Sequence, residues 1–248
     1  MPNIKTEFGK MNFEVSGSSN SGAIIMIHDN GQSSKFFDPE LRFYASYFKV
    51  ITPDLLNHGK SGEYKGENFW HDNASAIPLI CEKLKLKKVS LLGVGCGAYV
   101  ALNSIINNSG LIYKAIIDSF PGEELSEHYM DGIIKHRDNV KNSTLKQHYS
   151  SMNGSKWEKI LQWNSDMQMS FINKGLPLLA GNLEDIKTPV LMTASAADEI
   201  IRDADRIIRD FSAKIKKSYV HIFQNGSHPS FIKKSDEFRS LSLRFLLD

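Results

Sequence analysis

Short apolar runs alternate with segments of helical periodicity along most of the chain. The continuous run Ala23–Ile27 predicts a strand covered on both faces, because a strand with one solvated face would alternate apolar and polar residues. The earlier segment Phe8–Val15 does alternate, and it predicts an antiparallel hairpin arm at the edge of a sheet. Further strands are predicted at Lys49–Thr52, Val89–Leu92, Tyr113–Asp118, in the stretch that begins at Thr188, and at Ser218–Phe223. Helical patterns lie between these runs, and this order of elements is typical of an α/β domain.

The alternation of strands and helices stops between about residues 122 and 181, where the pattern is helical throughout. Within this stretch Ser155-Lys156-Trp157-Glu158 fits a capping box and predicts the start of a helix. Aromatic and thioether side chains are frequent here. They would suit an acyl or aromatic ligand, and they would serve equally well to pack the segment on the main domain. Four of them are assigned to a candidate substrate pocket: Tyr129, Trp157, Trp163 and Met167.

Composition narrows the class of protein without indicating a function. The 248 residues suffice for one α/β domain and an insertion of moderate size. The hydrophobic share of 41% and the charged share of 23% are ordinary for a soluble globular protein, which argues against disorder and fibrous repeats. The formal net charge is only +2, and the lysine cluster at residues 83–88 falls where a surface helix gives way to a buried strand. It therefore indicates a solvated helix end, and no nucleic-acid partner is expected.

The chain has only two cysteines, Cys81 and Cys96, so no disulfide framework is expected. Cys81 follows an apolar spacing that predicts the inner face of a helix. The N-terminus lacks the apolar run of a signal peptide, and no segment reaches the roughly 20 apolar residues that span a bilayer. We therefore expect a cytoplasmic, reducing location, which suits a free thiol, and no membrane partner.

A glycine-rich segment, Gly93-Val94-Gly95-Cys96-Gly97, follows the run Val89–Leu92 and precedes an Ala/Leu-rich helical pattern, so it predicts a strand, a sharp turn and a helix. We place Cys96 at the centre of the turn, in a strained backbone conformation, with glycines where the chain passes close to itself. Amides at the start of the following helix would favour its thiolate. On these residues alone, a buried structural cysteine or a phosphate-binding loop fits as well.

This segment resembles the nucleophile elbow of the α/β-hydrolase family, with Cys where most members have Ser. Four more segments resemble motifs of that family in the same order: its His-Gly-x-Gly loop at His28–Ser34, its Asp-x-x-Gly-x-Gly-x-Ser turn at Asp54–Ser61, its seventh strand and acidic loop at Thr188–Asp198, and its histidine loop at Asn225–Pro229. The resemblance implies a doubly wound, mostly parallel sheet of about eight strands. It also implies a core at residues 1–119 and 182–248 and a helical cap at residues 120–181, inserted after the sixth strand.

Carried onto these motifs, the resemblance implies a catalytic triad of Cys96, Asp198 and His228, in the family's chain order. His228 would take the proton of the thiol, and Asp198 would orient the imidazole and stabilise its positive charge. Asp118, at the end of the sixth predicted strand, is the alternative acid. Attack by the sulfur on a carbonyl would give an acyl-thioester, which water activated by His228 would release as the acid.

The same resemblance implies an oxyanion hole made by the backbone N–H groups of Asn30 and Gly97. Asp29 stands where the family's loop usually has glycine. His28, which opens this loop, joins the candidate pocket. His58 lies in the Asp54–Ser61 turn and is expected to be a loop residue without a catalytic role. No compact His or Cys spacing for a metal and no phosphate-binding glycine fingerprint occur, so we expect no cofactor.

A cysteine nucleophile favours activated acyl substrates. Thiolate is a good leaving group, so the tetrahedral intermediate of an amide would tend to return the thiol, whereas esters, thioesters and lactones can expel their own leaving groups. We therefore predict a hydrolase of a small ester, thioester or lactone. An acyltransferase that uses the same acyl-enzyme, and a slow or non-catalytic ligand receptor of this fold, are the alternatives. A Cys introduced in place of a natural Ser would give the same sequence, and the oligomeric state stays open.

Overall fold

The computed structural model describes residues 2–18, 22–138 and 144–248. Its strands are β1 (Asn3–Thr6), β2 (Gly9–Ser16), β3 (Ala23–Ile27), β4 (Lys49–Pro53), β5 (Val89–Val94), β6 (Ile112–Asp118), β7 (Val190–Ser195) and β8 (Ser218–Phe223). They form one eight-stranded sheet in the order β1-β2-β4-β3-β5-β6-β7-β8. β2 pairs antiparallel with β1 and β4, and the other neighbours are parallel. The predicted mostly parallel sheet and its hairpin arm are thus confirmed.

Ten α-helices lie in the described ranges. They are α1 (Asp38–Ala45), α2 (Phe69–Ala74), α3 (Ala76–Leu84), α4 (Gly97–Asn107), α5 (Glu127–Asp138), α6 (Thr144–Asn153), α7 (Trp157–Lys174), α8 (Ala204–Ser212), α9 (Ser230–Lys233) and α10 (Ser235–Leu247). Successive residues of β3 point to opposite faces of the sheet. Ile24 packs in one core with Phe238 of α10, and Ile25 packs in the other with Trp70 of α2. Both faces are therefore covered, which explains why β3 is apolar throughout.

Three helices, α5, α6 and α7, lie between β6 and β7, where the cap was predicted. Residues 139–143 of that segment lie outside the described residues. Aromatic contacts pack α7 against α2. The ring centroids of Phe171 and Trp70 are 4.7 Å apart, and those of Trp163 and Phe69 are 5.1 Å apart. Phe171 shares the larger buried core with the sheet. The boundaries of the cap at residues 120 and 181 stay a prediction.

The capping box predicted at Ser155–Glu158 is wrong. α7 begins at Trp157, its N-cap residue is Lys156, and no side chain caps it. Ser155 lies in a short 3₁₀ turn that precedes the helix, so its hydroxyl is one residue too early for the cap position. Within the described ranges, no helix combines the length and the apolar character that crossing a membrane would require.

Candidate active site

The sharp turn between β5 and α4 has its apex at Gly95 and not at Cys96. Gly95 has a φ of +56°, in the left-handed region, whereas Cys96 has ordinary right-handed angles of φ −69° and ψ −16°. The prediction that Cys96 is the strained central residue is therefore wrong by one position. The spacing of the glycines in the sequence indicates the correct apex. Gly93 and Gly97 each lie two residues from Gly95, as the two glycines do in the Gly-x-nucleophile-x-Gly pattern. In this register, glycine stands where the family's elbow has its nucleophile.

The glycines at either side of the apex allow close backbone contacts. A Cβ atom on Gly97 would lie 2.4 Å from the Ile27 carbonyl oxygen and 2.6 Å from that of His28. A Cβ atom on Gly93 would lie 2.7 Å from the Gly97 carbonyl oxygen. Both positions therefore require glycine, and together they bring the start of α4 against the loop that follows β3.

That loop places the Asp29 carboxyl group directly over Gly95. A Cβ atom on Gly95 would lie 2.3 Å from Asp29 Cγ, 2.4 Å from Oδ1 and 2.6 Å from Oδ2. The backbone N–H of Cys96 donates to Asp29 Oδ1 at 2.7 Å, and the N–H of Asn30 also bonds to Asp29. The Asp29 carboxylate thus occupies the space that an elbow side chain would take. At the elbow the N–H that points to this space belongs to Cys96, and not to Gly97 as predicted.

His228 lies in the loop after β8 and pairs with Asp198. Its Nδ1 lies 2.9 Å from Asp198 Oδ2, while Asp198 Oδ1 accepts backbone N–H groups from Ile200 and Ile201 at 2.9 and 2.8 Å. The Asp198 side chain has no exposed surface. The other ring nitrogen, Nε2, lies 3.7 Å from Asp29 Oδ2. His228 is therefore held between two carboxylates, one on each ring nitrogen.

The alternative acid, Asp118, has other partners. It accepts hydrogen bonds from the Thr193 hydroxyl at 2.7 Å and the Phe231 backbone N–H at 2.8 Å, and it has no exposed surface. Burial outweighs these bonds and raises the pKa of Asp118 to about 6. Asp118 joins the end of β6 to α9, which follows His228, whereas Asp198 is the carboxylate that holds the imidazole.

Charge at this site is concentrated on His228 and Asp29. Burial opposes the imidazolium form of His228, but the Asp198 and Asp29 carboxylates outweigh it and raise its pKa to about 10. Burial likewise opposes ionisation of Asp29, but His228 and the N–H groups of Cys96 and Asn30 hold the pKa of Asp29 below its usual value. At neutral pH the site therefore contains an imidazolium between two carboxylates.

This arrangement predicts a pH dependence of stability. Because the pKa of His228 is raised from 6.5 to about 10, its contribution is fully present below the ordinary value of 6.5 and is lost as pH rises through about 10. We expect the free energy of unfolding of the wild type to fall over this window more steeply than that of His228→Gln, in urea titrations at matched pH. Parallel curves for the two proteins would contradict the assignment.

The Cys96 thiol is buried close to both the Asp29 carboxylate and the Tyr129 hydroxyl. It has no exposed surface, and its sulfur lies 3.4 Å from the Tyr129 hydroxyl oxygen. Burial and the nearby negative charge of Asp29 raise the pKa of the Cys96 thiol well above its usual value. Burial and Asp29 thus oppose the thiolate that the start of the helix was expected to favour.

A cavity of about 450 Å³ opens beside His228 and Asp29, and helices α5 and α6 border it. Asn30 and Tyr129 also line it, as do Arg137 and His136 from α5. The side-chain amide of Asn30 has neither of its polar atoms hydrogen-bonded within the described residues, although both are buried. A polar atom buried without a partner is costly, so Asn30 is available to a bound molecule.

Four of the five side chains predicted for the pocket lie elsewhere, and only Tyr129 lines this cavity. His28 is fully buried and accepts the Leu55 backbone N–H. Trp163 packs against Phe69 of α2, and Met167 packs against the larger hydrophobic core. Trp157 borders a second groove, which lies between α5 and α7. The sequence does not specify which face of α7 meets the sheet, because apolar residues occur on several faces.

His58 lies in the loop after β4, as predicted, and does not line the cavity. Its Nε2 accepts the Gly31 backbone N–H at 3.2 Å and lies 3.0 Å from the Asn164 amide nitrogen. Burial and the neighbouring His28 lower the pKa of His58 to about 3, so the ring is neutral at neutral pH. It joins the loop after β3 to α7 of the cap.

The structure is similar to solved α/β-hydrolases over its full length. A meta-cleavage product hydrolase from Pseudomonas fluorescens IP01 superposes with a TM-score of 0.80 at 15% identity, over 99% of this chain and 97% of that one. An enol-lactonase from Burkholderia xenovorans LB400 gives 0.78 at 15% identity over all of both chains. An esterase from Exiguobacterium antarcticum gives 0.72 at 19% identity over 99% of both. The chain has the α/β-hydrolase fold, as its motifs implied.

Sequence relatives agree with this fold. Serine hydrolase BPHL of Homo sapiens is 24% identical over 255 residues, which cover 96% of this chain and 83% of that protein. A probable alcohol acetyltransferase of Wickerhamomyces anomalus is 32% identical over 101 residues, or 40% of this chain. The aligned part spans only 29% of the acetyltransferase. No protein-family model matches the chain.

Proposed function

We propose that this chain hydrolyses a small ester, thioester or lactone in the cavity under the cap, with His228 as its acid and base. The observation that carries this proposal is the 2.9 Å contact between His228 Nδ1 and Asp198 Oδ2, beside a cavity that His228 itself lines. Asp198 holds the imidazole through Nδ1, and Nε2, which lies 3.7 Å from Asp29 Oδ2, is the nitrogen that can exchange protons with a substrate or water. The hydrolases and esterases of the same fold support this class of reaction.

Hydrolysis through an acyl-thioester on Cys96 has less support than hydrolysis in which His228 acts as acid and base without the Cys96 thiol. The elbow apex is Gly95, and the Cys96 sulfur lies 3.4 Å from the Tyr129 hydroxyl oxygen. The raised pKa of the thiol also disfavours the thiolate that would attack a carbonyl. Cys96 instead contributes its backbone N–H, which already binds Asp29.

The experiment compares ester hydrolysis by the wild type and by variants of the pair. We expect His228→Gln and Asp198→Asn to lower kcat/KM for p-nitrophenyl acetate by about 10²- to 10⁴-fold, the range that general acid–base groups contribute. His128→Gln is the matched control, because His128 is exposed on α5 and does not line the cavity. Equal rates in wild type and His228→Gln would contradict the proposal. An ethanol-dependent ester product would instead indicate acyl transfer.

A ligand receptor without turnover is the second candidate. Two observations favour it: glycine at the apex, and an N–H pair already filled by the Asp29 carboxylate. A receptor would bind esters or carboxylic acids in the cavity and release no product. Saturable binding in calorimetry, with product release no faster than in buffer, would establish it in place of the hydrolase.

A further inference from the structure

We propose that Asp29 is the nucleophile of this site, a carboxylate supplied by the loop after β3 in place of a side chain at the elbow. This inference rests on the proposed hydrolase function. It explains why glycine occupies the apex, since a Cβ atom on Gly95 would lie within 2.3–2.6 Å of the Asp29 carboxyl atoms. The Asp29 carboxylate and a side chain at position 95 cannot occupy this space together. The site therefore contains one nucleophile, supplied either by the elbow or by the loop after β3.

The two oxygens of Asp29 have different surroundings. Oδ1 is fixed by the Cys96 N–H at 2.7 Å, and Oδ2 faces His228 Nε2 at 3.7 Å. The side chain is 16% exposed, and Asp29 lines the cavity. One oxygen is therefore anchored, while the other is directed towards the acid–base group and the space for substrate. A carboxylate in such a position is able to act as a nucleophile.

In the first step Oδ2 of Asp29 attacks the carbonyl carbon of the ester. The tetrahedral intermediate expels the leaving-group oxygen, which takes the Nε2 proton of the His228 imidazolium and departs as an alcohol. A mixed anhydride now joins Asp29 to the acyl group, and His228 is neutral. The other proton stays on Nδ1 throughout and is donated to Asp198 Oδ2, which keeps Nε2 as the nitrogen that exchanges protons.

In the second step neutral His228 removes a proton from water, and the resulting hydroxide attacks Cγ of Asp29. Negative charge develops on Oδ1, the oxygen that the Cys96 N–H already holds, so the backbone donor acts as an oxyanion hole for hydrolysis of the anhydride. The bond between Cγ and Oδ2 breaks and the acid leaves with Oδ2. Asp29 keeps the oxygen from water and loses one proton to solvent, which restores the starting state.

Oxygen isotopes test this sequence directly. In a single turnover of p-nitrophenyl acetate by excess wild-type protein in H₂¹⁸O, we expect unlabelled acetate and one ¹⁸O in the peptide that contains Asp29. The peptide containing Glu199 is the internal control, because Glu199 also lines the cavity but is not over Gly95. Labelled acetate with an unlabelled Asp29 peptide would overturn the inference.

The outcome separates this inference from the proposed function. Hydrolysis that depends on His228 but leaves Asp29 unlabelled would refute the nucleophile and leave the hydrolase in place. Absence of any hydrolysis by the wild type would refute both. As a second measurement, Asp29→Asn, which keeps the shape of the side chain, is expected to reduce turnover to that of buffer with substrate still bound. Turnover by that variant within a few-fold of wild type would also overturn the inference.

Discussion

A chain that carries both Gly95→Ser and Asp29→Gly is expected to release a stoichiometric burst of p-nitrophenol from p-nitrophenyl acetate. The wild type is expected to show none, because an anhydride hydrolyses faster than an acyl-serine. In the double variant the side chain of the introduced serine would enter the space that the Asp29 carboxyl group vacates. The Cys96 N–H would be released to bind an oxyanion, and His228 with Asp198 would stand beside the new hydroxyl.

The single variants are the controls for this result. Gly95→Ser alone places its Cβ atom 2.3 Å from Asp29 Cγ, so the loop after β3 must move. It also puts a side chain at a φ of +56°, which costs about 1–2 kcal/mol. Asp29→Gly alone leaves the elbow without any nucleophile. A folded double variant that gives no burst would contradict the assignment of Gly95 to the nucleophile position.

Gly97→Ala is expected to destabilise the fold by about 1–3 kcal/mol, the usual cost of overpacking. Its Cβ atom would lie 2.4 Å from the Ile27 carbonyl oxygen and 2.6 Å from that of His28, and backbone atoms at the end of β3 cannot move aside as a flexible side chain can. The start of α4 would then separate from the loop that holds Asp29.

Urea unfolding followed by circular dichroism measures this effect. Gly110→Ala is the matched control, because no atom lies within 4 Å of the Cβ position at Gly110. We expect the control to change the free energy of unfolding by less than about 0.5 kcal/mol, as is usual away from special features. Equal free energies of unfolding for the two variants would contradict this prediction, because they would show that close contact between α4 and β3 does not require glycine at position 97.

The sheet could be predicted from the sequence because its central strands β3 and β5 are short and almost entirely apolar runs. β3 is buried at all five positions and β5 at all six, so the pattern of each run reflects burial on both faces. The order of the motifs along the chain then indicated the topology. The pairing of Asp198 with His228 also followed from motif order, since each motif ends a strand at the same edge of the sheet.

The register of the elbow was harder to predict, because the strand–turn–helix pattern fits an apex at Gly95 or at Cys96, and only the spacing of Gly93 and Gly97 separates the two. Cysteine has a nucleophilic side chain and glycine has none, so the residue types favoured Cys96 as the apex. The role of Asp29 depends on a contact with Cys96, 67 positions away in the chain, which only the packing of α4 against β3 creates. The local sequence shows that Asp29 replaces a glycine that is usual in this loop. It does not show which groups the Asp29 carboxylate contacts.

The measurement that tests the central claim most directly is kcat/KM for p-nitrophenyl acetate in Cys96→Ala. Alanine keeps the backbone N–H that binds Asp29 and removes only the sulfur. Cys81→Ala is the matched control, since Cys81 is the other free, buried cysteine. The account predicts that both variants hydrolyse the ester within a few-fold of the wild type. A loss in Cys96→Ala as large as that in His228→Gln, with Cys81→Ala unaffected, would contradict it and restore the thiol as the nucleophile.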